Sequence, residues 1–250
     1  MQLFNRRLFK IHRDFAAPYA ADDYLRIFAS QQLASRILLL ELAGNKALEI
    51  GAHAGALSSK LTSFDLTVTE ASSKLLQLNP CTKQINQDDE DLVLDAEQYD
   101  LVLSCLNLHW INHVLAFLQK IYFALKPGGV FLANFIGERS LQSLRHYLIK
   151  AELDLGLPAG LHVAPLITKA DITALIRQAG FKEVVTDSEV LEVEYRNILA
   201  LMRELKQMGQ ANKMLQTTGQ KIHKKLYYAL QASDEAFVTN FEIITIYGKK

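Results

Sequence analysis

The stretch Leu48 to Leu57, LEIGAHAGAL, decides the predicted fold. An apolar run ends in Glu49, and Gly51 and Gly55 follow it with His53 between them. Glycines directly after a buried strand let the backbone approach a ligand closely, and a helix that begins there offers free N–H groups. A dinucleotide-binding loop would carry a third glycine in place of His53. The stretch therefore predicts a strand, a ligand-binding loop and a helix, with one unusual residue in the loop.

Short buried strands alternate with helical segments on both sides of this loop. Strands are predicted at 46–50, 65–70, 99–108, 130–135, 181–195 and 237–248, with a tight turn at 126–129. Helices are predicted at 24–42, 54–62, 72–79, 111–125, 140–155 and 168–180. This alternation indicates an α/β, Rossmann-like fold with a mostly parallel sheet, to which the last segment adds an antiparallel strand.

The domain organisation is predicted to be simple. No repeat, low-complexity tract or Pro/Gly-rich linker marks a boundary, so one domain over 1–250 is expected. Residues 1–45 would form an N-terminal helical cover. The segments 138–166 and 196–230, the second a polar helical stretch, are surplus to the sheet and are predicted to cap the site.

Composition excludes several classes of protein. Lys plus Arg and Asp plus Glu both number 27, so a general electrostatic footprint for nucleic acid is absent. Two cysteines make neither a disulfide framework nor a zinc site. No run approaches the roughly 18 apolar residues of a membrane span. The N-terminus is basic enough to mimic a mitochondrial transit peptide, but Phe4, Leu8 and Ile11 fall at helical spacing, which favours a mature helix and a cytoplasmic location.

An acid at the end of the second strand completes a nucleoside-type pattern. Glu70 lies 19 residues after Gly51, and a carboxylate in that place can accept both hydroxyls of a ribose. The acid Glu49 beside the loop suits a cationic, phosphate-free ligand better than a pyrophosphate. S-adenosylmethionine fits both features and is the predicted cofactor.

Four segments resemble the motif series of class I S-adenosylmethionine-dependent methyltransferases: ALEIGAHAG, Glu70, YDLVLSCLNLHW and LKPGGVFLANF. Further pieces, including LNLHWINH, RSLQSLR, IRQAGF, LMRELKQMGQAN and FEIITIYG, resemble one subgroup of that class. The subgroup contains the mitochondrial complex I assembly factor 5 and the biotin-synthesis malonyl-acyl-carrier-protein methyltransferase. The resemblance covers nearly the whole chain and implies a seven-stranded sheet with a final antiparallel strand, N-terminal helices and a helical cap.

The resemblance also implies which residues contact the cofactor: Glu49, Gly51, Ala52, His53, Gly55, Glu70, Asp88, Asp89, Leu106 and Asn107. Glu70 would bind the ribose, and Asp88 with Asp89 would approach the adenine amino group. Leu106 and Asn107 would touch the sulfonium region. The alternative for the acidic run that contains Asp88 and Asp89 is a solvated loop.

His109 and Trp110 are the catalytic candidates on the substrate side. His109 is either a base, since its ordinary pKa is close to neutral pH, or a packing residue. Trp110 is expected to form a hydrophobic wall. Arg139 and Arg145 would hold an anionic substrate or an acidic partner, and their alternative is a solvated helix face. No third ligand accompanies any pair of histidines, so no metal is predicted.

Three functions remain open from the sequence. The first is a methyltransferase that acts on a protein or on a carrier-bound acid. The resemblance to the assembly factor implies a second, the hydroxylation of an arginine on a respiratory-chain subunit. The third is a non-catalytic scaffold with weakened cofactor binding. His53 favours this last function, because a positive φ at a non-glycine residue costs roughly 1–2 kcal/mol.

Overall fold

A computed structural model describes residues 2–217 and 222–250 of the chain. Its strands, β1 to β7, are Lys46–Ile50, Asp65–Glu70, Lys83–Asn86, Tyr99–Cys105, Leu125–Ile136, Glu183–Tyr195 and Phe237–Lys249. Its α-helices, α1 to α8, are Arg6–Ala16, Tyr24–Ile37, Ser73–Leu78, Val114–Ala124, Gln142–Asp154, Lys169–Gln178, Ile198–Gln207 and Lys224–Ala232.

The strands form one sheet in the order β3-β2-β1-β4-β5-β7-β6. Strands β1 to β5 pair in parallel, whereas β7 runs antiparallel to both β5 and β6. The predicted fold class, a mostly parallel seven-stranded sheet with a final antiparallel strand, is confirmed. Strand order reverses beside β1, so the ends of β1 and β4 form the edge at which ligands bind in such sheets.

The two faces of the sheet pack against separate hydrophobic clusters. In β1, Ala47 belongs to one cluster and Leu48 to the other, and Leu101 and Val102 of β4 divide in the same way. Successive side chains of a strand point to opposite faces, so a run that is apolar throughout must be covered on both. These buried strands hold the residues after β1 and β4 in fixed positions.

Two predicted helices are shorter than their sequences suggested. Helix α2 ends at Ile37 rather than 42, because the N–H groups of Leu39 and Leu40 donate to carbonyls three residues earlier, as in a 3-10 turn, instead of four. The predicted helix at 54–62 is only a 3-10 turn at Ser58–Lys60. The left-handed φ of +90° at Gly55 prevents a helix from starting directly after the β1 loop.

The predicted N-terminal helix is present as α1, and Phe4 shortly before it is buried. Ile11 is exposed, whereas Phe9, Arg13 and Ala16 are buried. Arg13 has a carboxylate partner, Glu70, inside the protein. A paired guanidinium can be buried where an unpaired one cannot.

The two segments predicted to cap the site contain helices α5, α7 and α8, together with irregular chain. Residues 218–221 of the predicted stretch 196–230 lie outside the described residues. Within the described part of the chain, none of the helices combines the length and the apolar character needed to cross a membrane.

Candidate cofactor and acceptor sites

Glu70, the last residue of β2, is buried at the edge of the sheet where strand order reverses. Arg13 of α1 donates to both carboxylate oxygens of Glu70, and its Nη2 also donates to the carbonyl of Gly51 at 3.1 Å. The backbone N–H groups of His53 and Ser72 donate to the same carboxylate at 2.9 Å. Burial alone would raise the pKa of Glu70, but the charge and hydrogen bonds of Arg13 outweigh it and lower the pKa.

His53, the unusual residue of the β1 loop, has a left-handed φ of +54°. Its side chain is buried, and neither ring nitrogen has a hydrogen-bond partner within residues 2–217 and 222–250. Burial, followed by the charges of Arg26 and Arg13, lowers the pKa of His53 well below its ordinary value. The ring is therefore neutral. Histidine tolerates left-handed backbone better than most residues, so the loop keeps its shape without the third glycine.

The glycines and amides of this loop make contacts within the chain. A Cβ at Gly51, where φ is +69°, would come within 2.4 Å of the Asn107 side chain. A Cβ at Gly55 would come within 2.4 Å of Pro80, so this glycine allows the loop to pack on its own neighbour. The N–H of Ala52 donates to Thr69, and that of Gly55 donates to Ala52. Most loop amides are already bonded, and the predicted helix that would have offered free ones is absent.

Asp88 and Asp89 follow β3 and lie beside the end of β4. Arg6 of α1 donates to both oxygens of Asp88, at 2.8 to 3.1 Å, and lies 3.6 Å from Asp89. Asn107 donates to Asp89 at 3.0 Å. Asp89 is fully buried, and this burial, partly offset by Arg6, raises its pKa to about 6. The alternative of a solvated acidic loop does not hold for Asp89.

Glu49 is buried at the end of β1 and accepts a hydrogen bond of 2.5 Å from the Ser58 hydroxyl. Burial raises its pKa to about 7, although Ser58 and Arg26 act in the opposite direction. Glu49 therefore exchanges its proton near neutral pH.

The N-terminal segment, defined as residues 3–16, contacts Glu70, Asp88 and Asp89 through Arg13 and Arg6. The side-chain oxygen of Asn112 accepts from the N–H groups of Leu3 and Phe4 at 2.7 Å. The N–H of Asn5 donates to the carbonyl of Lys213, and Phe4 forms an antiparallel bridge with Met214. The chain's own helix α1 is thus held over Glu70, Asp88 and Asp89 at this edge of the sheet.

The buried polar atoms that lack partners are concentrated at this edge. Six buried side-chain nitrogen or oxygen atoms have no hydrogen bond among the described residues, and four of them belong to His53, Asp89 and Asn107. Buried polar atoms without partners are rare and call for a ligand or a rearrangement. The free oxygens of Asp89 and Asn107 and the carboxylate of Glu70 match the amino and hydroxyl groups of an adenosyl ligand. The residues therefore fit S-adenosylmethionine chemically. In this structure Arg13 bonds both oxygens of Glu70, the acid predicted to bind the ribose.

His109 and Trp110 meet at one side chain that the sequence analysis missed. The side-chain oxygen of Gln210 lies 3.1 Å from His109 Nε2 and accepts from Trp110 Nε1 at 2.7 Å. The other ring nitrogen of His109 accepts from the N–H of Ile136 at 3.4 Å. Burial lowers the pKa of His109 to about 3. Both ring nitrogens are thus engaged, and the geometry suits a positioning residue better than a base.

A cavity of about 700 Å³ begins at His109 and Trp110 and extends beneath the segments predicted to cap the site. Its wall includes residues of α5, of the chain between 157 and 166, and of α7. Both predicted cap segments therefore lie over it. Trp110 also contacts Phe4 of the N-terminal segment, with ring centroids 5.1 Å apart. This indole therefore lies between the cavity and the N-terminal segment.

The remaining predicted residues occupy varied positions. Leu106 is buried directly after β4 with a left-handed φ of +46°. Arg139 has an exposed side chain, and Arg145 donates to the carbonyl of Ala164 at 3.3 Å. Neither arginine lines the cavity. Their assignment to an anionic substrate stays a prediction.

Three cations at this edge were also missed: Arg6, Arg13 and Lys213. The Lys213 amine is fully buried, 3.4 Å from the centre of the Trp110 ring. Burial, followed by Arg13 and Arg6, lowers its pKa well below the ordinary value. The segment LMRELKQMGQAN, which resembles the subgroup, ends directly before Lys213 and was the one available signal.

Residues 19–186 match the family described as a methyltransferase domain. The chain is 34% identical over 202 residues to the protein named "Putative methyltransferase RP459" of Rickettsia prowazekii (strain Madrid E). The match covers 79% of this chain and 89% of that protein. The chain is 32% identical over 223 residues to the mitochondrial arginine-hydroxylase NDUFAF5 of Danio rerio, covering 85% and 69%.

A solved structure with the same fold is that of Haemonchus contortus phosphoethanolamine N-methyltransferase 2 in complex with S-adenosyl-L-methionine. The TM-score is 0.53 at 18% identity, covering 88% of this chain and 52% of that one. The family match confirms the predicted cofactor class, S-adenosylmethionine. The chain belongs to the methyltransferase-domain family.

Proposed function

We propose that this chain is a methyltransferase whose cofactor binds at the ends of β1, β2 and β4 and whose acceptor enters the cavity beneath the cap segments. The observation that carries the proposal is the convergence of Glu70, Asp89 and Asn107, two of which keep a buried oxygen without a partner in the described part of the chain. Trp110 borders both this group and the cavity, so the two ligands would meet beside its ring.

Each residue of the cofactor side has a definite part in this proposal. Glu70 would hold the ribose hydroxyls, and Asp89 would accept from the adenine amino group. Asn107, packed on Gly51, would accept from the amino-acid end. The cofactor supplies an activated methyl group on a sulfonium, so the chain mainly has to align an attack and exclude water. Full burial of residues 101–110 suits that requirement.

Helix α1 must move before such a ligand can bind. Arg13 fills both oxygens of Glu70, and Arg6 engages Asp88. A ribose would therefore compete with a guanidinium for the same carboxylate. Once the helix has withdrawn, water can solvate the two guanidinium groups and ligand hydroxyls can donate to Glu70, so these polar groups keep hydrogen-bond partners.

His109 and Trp110 keep a part in the proposal without proton transfer. Both donate or accept through Gln210, which fixes the orientation of the indole. A neutral imidazole with both nitrogens bonded positions its neighbours and keeps the wall rigid. A group other than His109 must then take the proton of the acceptor, unless the acceptor binds already deprotonated.

Hydroxylation of an arginine on a partner protein is a second candidate. It is supported by the relative named arginine-hydroxylase, which is 32% identical over 85% of this chain. Among residues 2–217 and 222–250, no group of three His, Cys, Asp or Glu side chains is placed to hold a metal ion. Mass spectrometry of a co-expressed partner separates the two candidates, since an added methyl group and an added oxygen differ in mass.

Calorimetric titration with S-adenosylmethionine and S-adenosylhomocysteine tests the proposal. The parent and His53→Gly are both expected to bind with similar affinity, because His53 already has its left-handed φ of +54° in the unliganded chain and the strain of roughly 1 kcal/mol acts on folding rather than on binding. Binding by the glycine variant alone would favour the scaffold, and absence of binding by both would contradict the cofactor site.

The domain organisation, the partners and the cellular location remain predictions of this proposal. The chain is treated as one domain over 1–250, with its cover and cap segments as part of it. A protein or a carrier is the expected partner, and a respiratory-chain subunit is one candidate. The cytoplasmic location and the absence of a nucleic-acid partner rest on the sequence alone.

A further inference from the structure

The wall of the cavity has an uneven charge. Most of its residues are aliphatic or aromatic, and among the described residues that line it none is Lys or Arg. Glu152 is the only carboxylate of this lining. The cavity therefore presents an apolar surface with one acidic group. Such a surface is complementary to a ligand with an apolar stem and a positive or N–H-rich head.

Glu152, in the last turn of α5, is 5% exposed. Its two oxygens accept from the N–H of Gly160 at 2.7 Å and lie 2.7 Å from Nε2 of His162. A Cβ at Gly160 would come within 2.8 Å of His162 Nε2 and 3.2 Å of a Glu152 oxygen. The chain after α5 is thus closely fitted around this carboxylate.

The hydrogen bonds of Glu152 leave capacity for a ligand. A carboxylate has about four lone-pair positions, and two protein contacts use only part of them. His162 is the only side chain within ion-pair distance among the described residues. A buried carboxylate without Lys or Arg gains most from a cation that arrives with the ligand, because water no longer screens the pair.

We propose that Glu152 is the specificity-determining residue of this cavity and selects an acceptor whose apolar stem ends in an ammonium or guanidinium group. The proposal rests on the proposed function only in treating the cavity as the acceptor site. It also separates the acceptors left open above. A carrier-bound acid would meet a carboxylate and no described cation, whereas a basic protein side chain would find its counter-charge.

The test uses three probes with the same six-carbon stem, hexylguanidinium, hexanol and heptanoate, titrated into the full chain by calorimetry. We expect the guanidinium to bind about ten-fold or more tighter than the alcohol, the size of one charge-assisted hydrogen bond, and heptanoate to bind weakest. Glu152→Gln keeps the shape of the side chain and should reduce guanidinium affinity to that of the alcohol. Glu189→Gln, on the exposed surface of β6, is the matched control and should change nothing.

A second variant keeps the test decisive if Glu152→Gln is poorly folded. His162→Ala frees one Glu152 oxygen and should leave guanidinium affinity equal or higher. Equal affinity for all three probes, an unchanged preference in Glu152→Gln, or no probe binding would overturn the proposal. The assay needs no cofactor, so a chain that fails to bind S-adenosylhomocysteine but prefers the guanidinium would refute the proposed function and not the role of Glu152.

Discussion

The two sides of Trp110 differ in how they are filled. On one side, Glu70 and Asp89 are buried against Arg13 and Arg6 of the chain's own helix α1. On the other, a cavity of about 700 Å³ has a mostly apolar wall with a single carboxylate among its described lining residues. The charged side is closed by groups that a ligand can replace, and the apolar side is open without rearrangement. The comparison suggests that acceptor access and cofactor access are controlled by different parts of the chain.

The largest expected change in the free energy of unfolding comes from breaking the buried ion pair between Arg13 and Glu70. Glu70→Gln leaves Arg13 buried without its counter-charge, so the free energy of unfolding should fall by about 3–5 kcal/mol. Urea unfolding of the parent and the variant measures the difference. The double variant Arg13→Met with Glu70→Gln removes the stranded charge and should recover most of the loss. If the double variant were as unstable as the sum of both single ones, the pair would not act as a unit.

A smaller effect concerns the proton on Glu49. Burial raises its pKa from 4.5 to about 7, so the folded chain holds this proton more tightly than the unfolded chain. Its contribution to stability is full below about pH 4.5 and is lost as pH rises through 7, by up to about 3 kcal/mol. Glu49→Gln should flatten this part of the pH dependence of urea unfolding. A parent and variant with parallel pH profiles from 5 to 8 would contradict the assignment.

The apolar side is sensitive to one hydrogen-bond acceptor. Gln210→Leu leaves Trp110 Nε1 without its partner and His109 Nε2 without its neighbour, which should destabilise the fold by about 1–3 kcal/mol. Tryptophan fluorescence reports the same change, because Trp110 is the single tryptophan. Gln178→Leu, on the exposed end of α6, is the control and should leave both readouts unaltered.

The smallest effect concerns an ion pair far from both sides. Arg36 and Asp187 are 3.0 Å apart, with side chains 30% and 53% exposed. Water and salt screen such a pair, so Arg36→Gln should change the free energy of unfolding by less than about 1 kcal/mol. A loss as large as that of Glu70→Gln would mean that burial does not distinguish these pairs.

Residues at strand ends were predictable because the rule that locates them is geometric. Glu49, Glu70 and Asn107 follow buried apolar runs, and parallel strands bring their ends to one edge. The mostly parallel sheet could be predicted from the alternation of strands and helices alone. These features depend on local pattern and topology, which a sequence displays directly.

The partners of those residues were not predictable in the same way. Arg13 is 57 residues from Glu70, and nothing in an apolar-spacing pattern marks a buried guanidinium. Gln210 is 100 residues from Trp110 and lies in a segment that only the resemblance singled out. Long-range pairing of polar side chains depends on how helices pack over the sheet, which is not written in any local pattern.

The central claim, that helix α1 closes the cofactor side, is tested most directly by titrating S-adenosylhomocysteine into the parent, Arg13→Gln and Arg7→Gln. Arg7 lies on the exposed face of the same helix and controls for loss of charge. If closure limits binding, Arg13→Gln frees Glu70 and raises the fraction of competent protein, so its affinity should exceed that of the parent by about ten-fold or more while Arg7→Gln matches the parent. Equal or weaker binding by a folded Arg13→Gln would contradict the claim, because Arg13 would then support the ligand rather than compete with it.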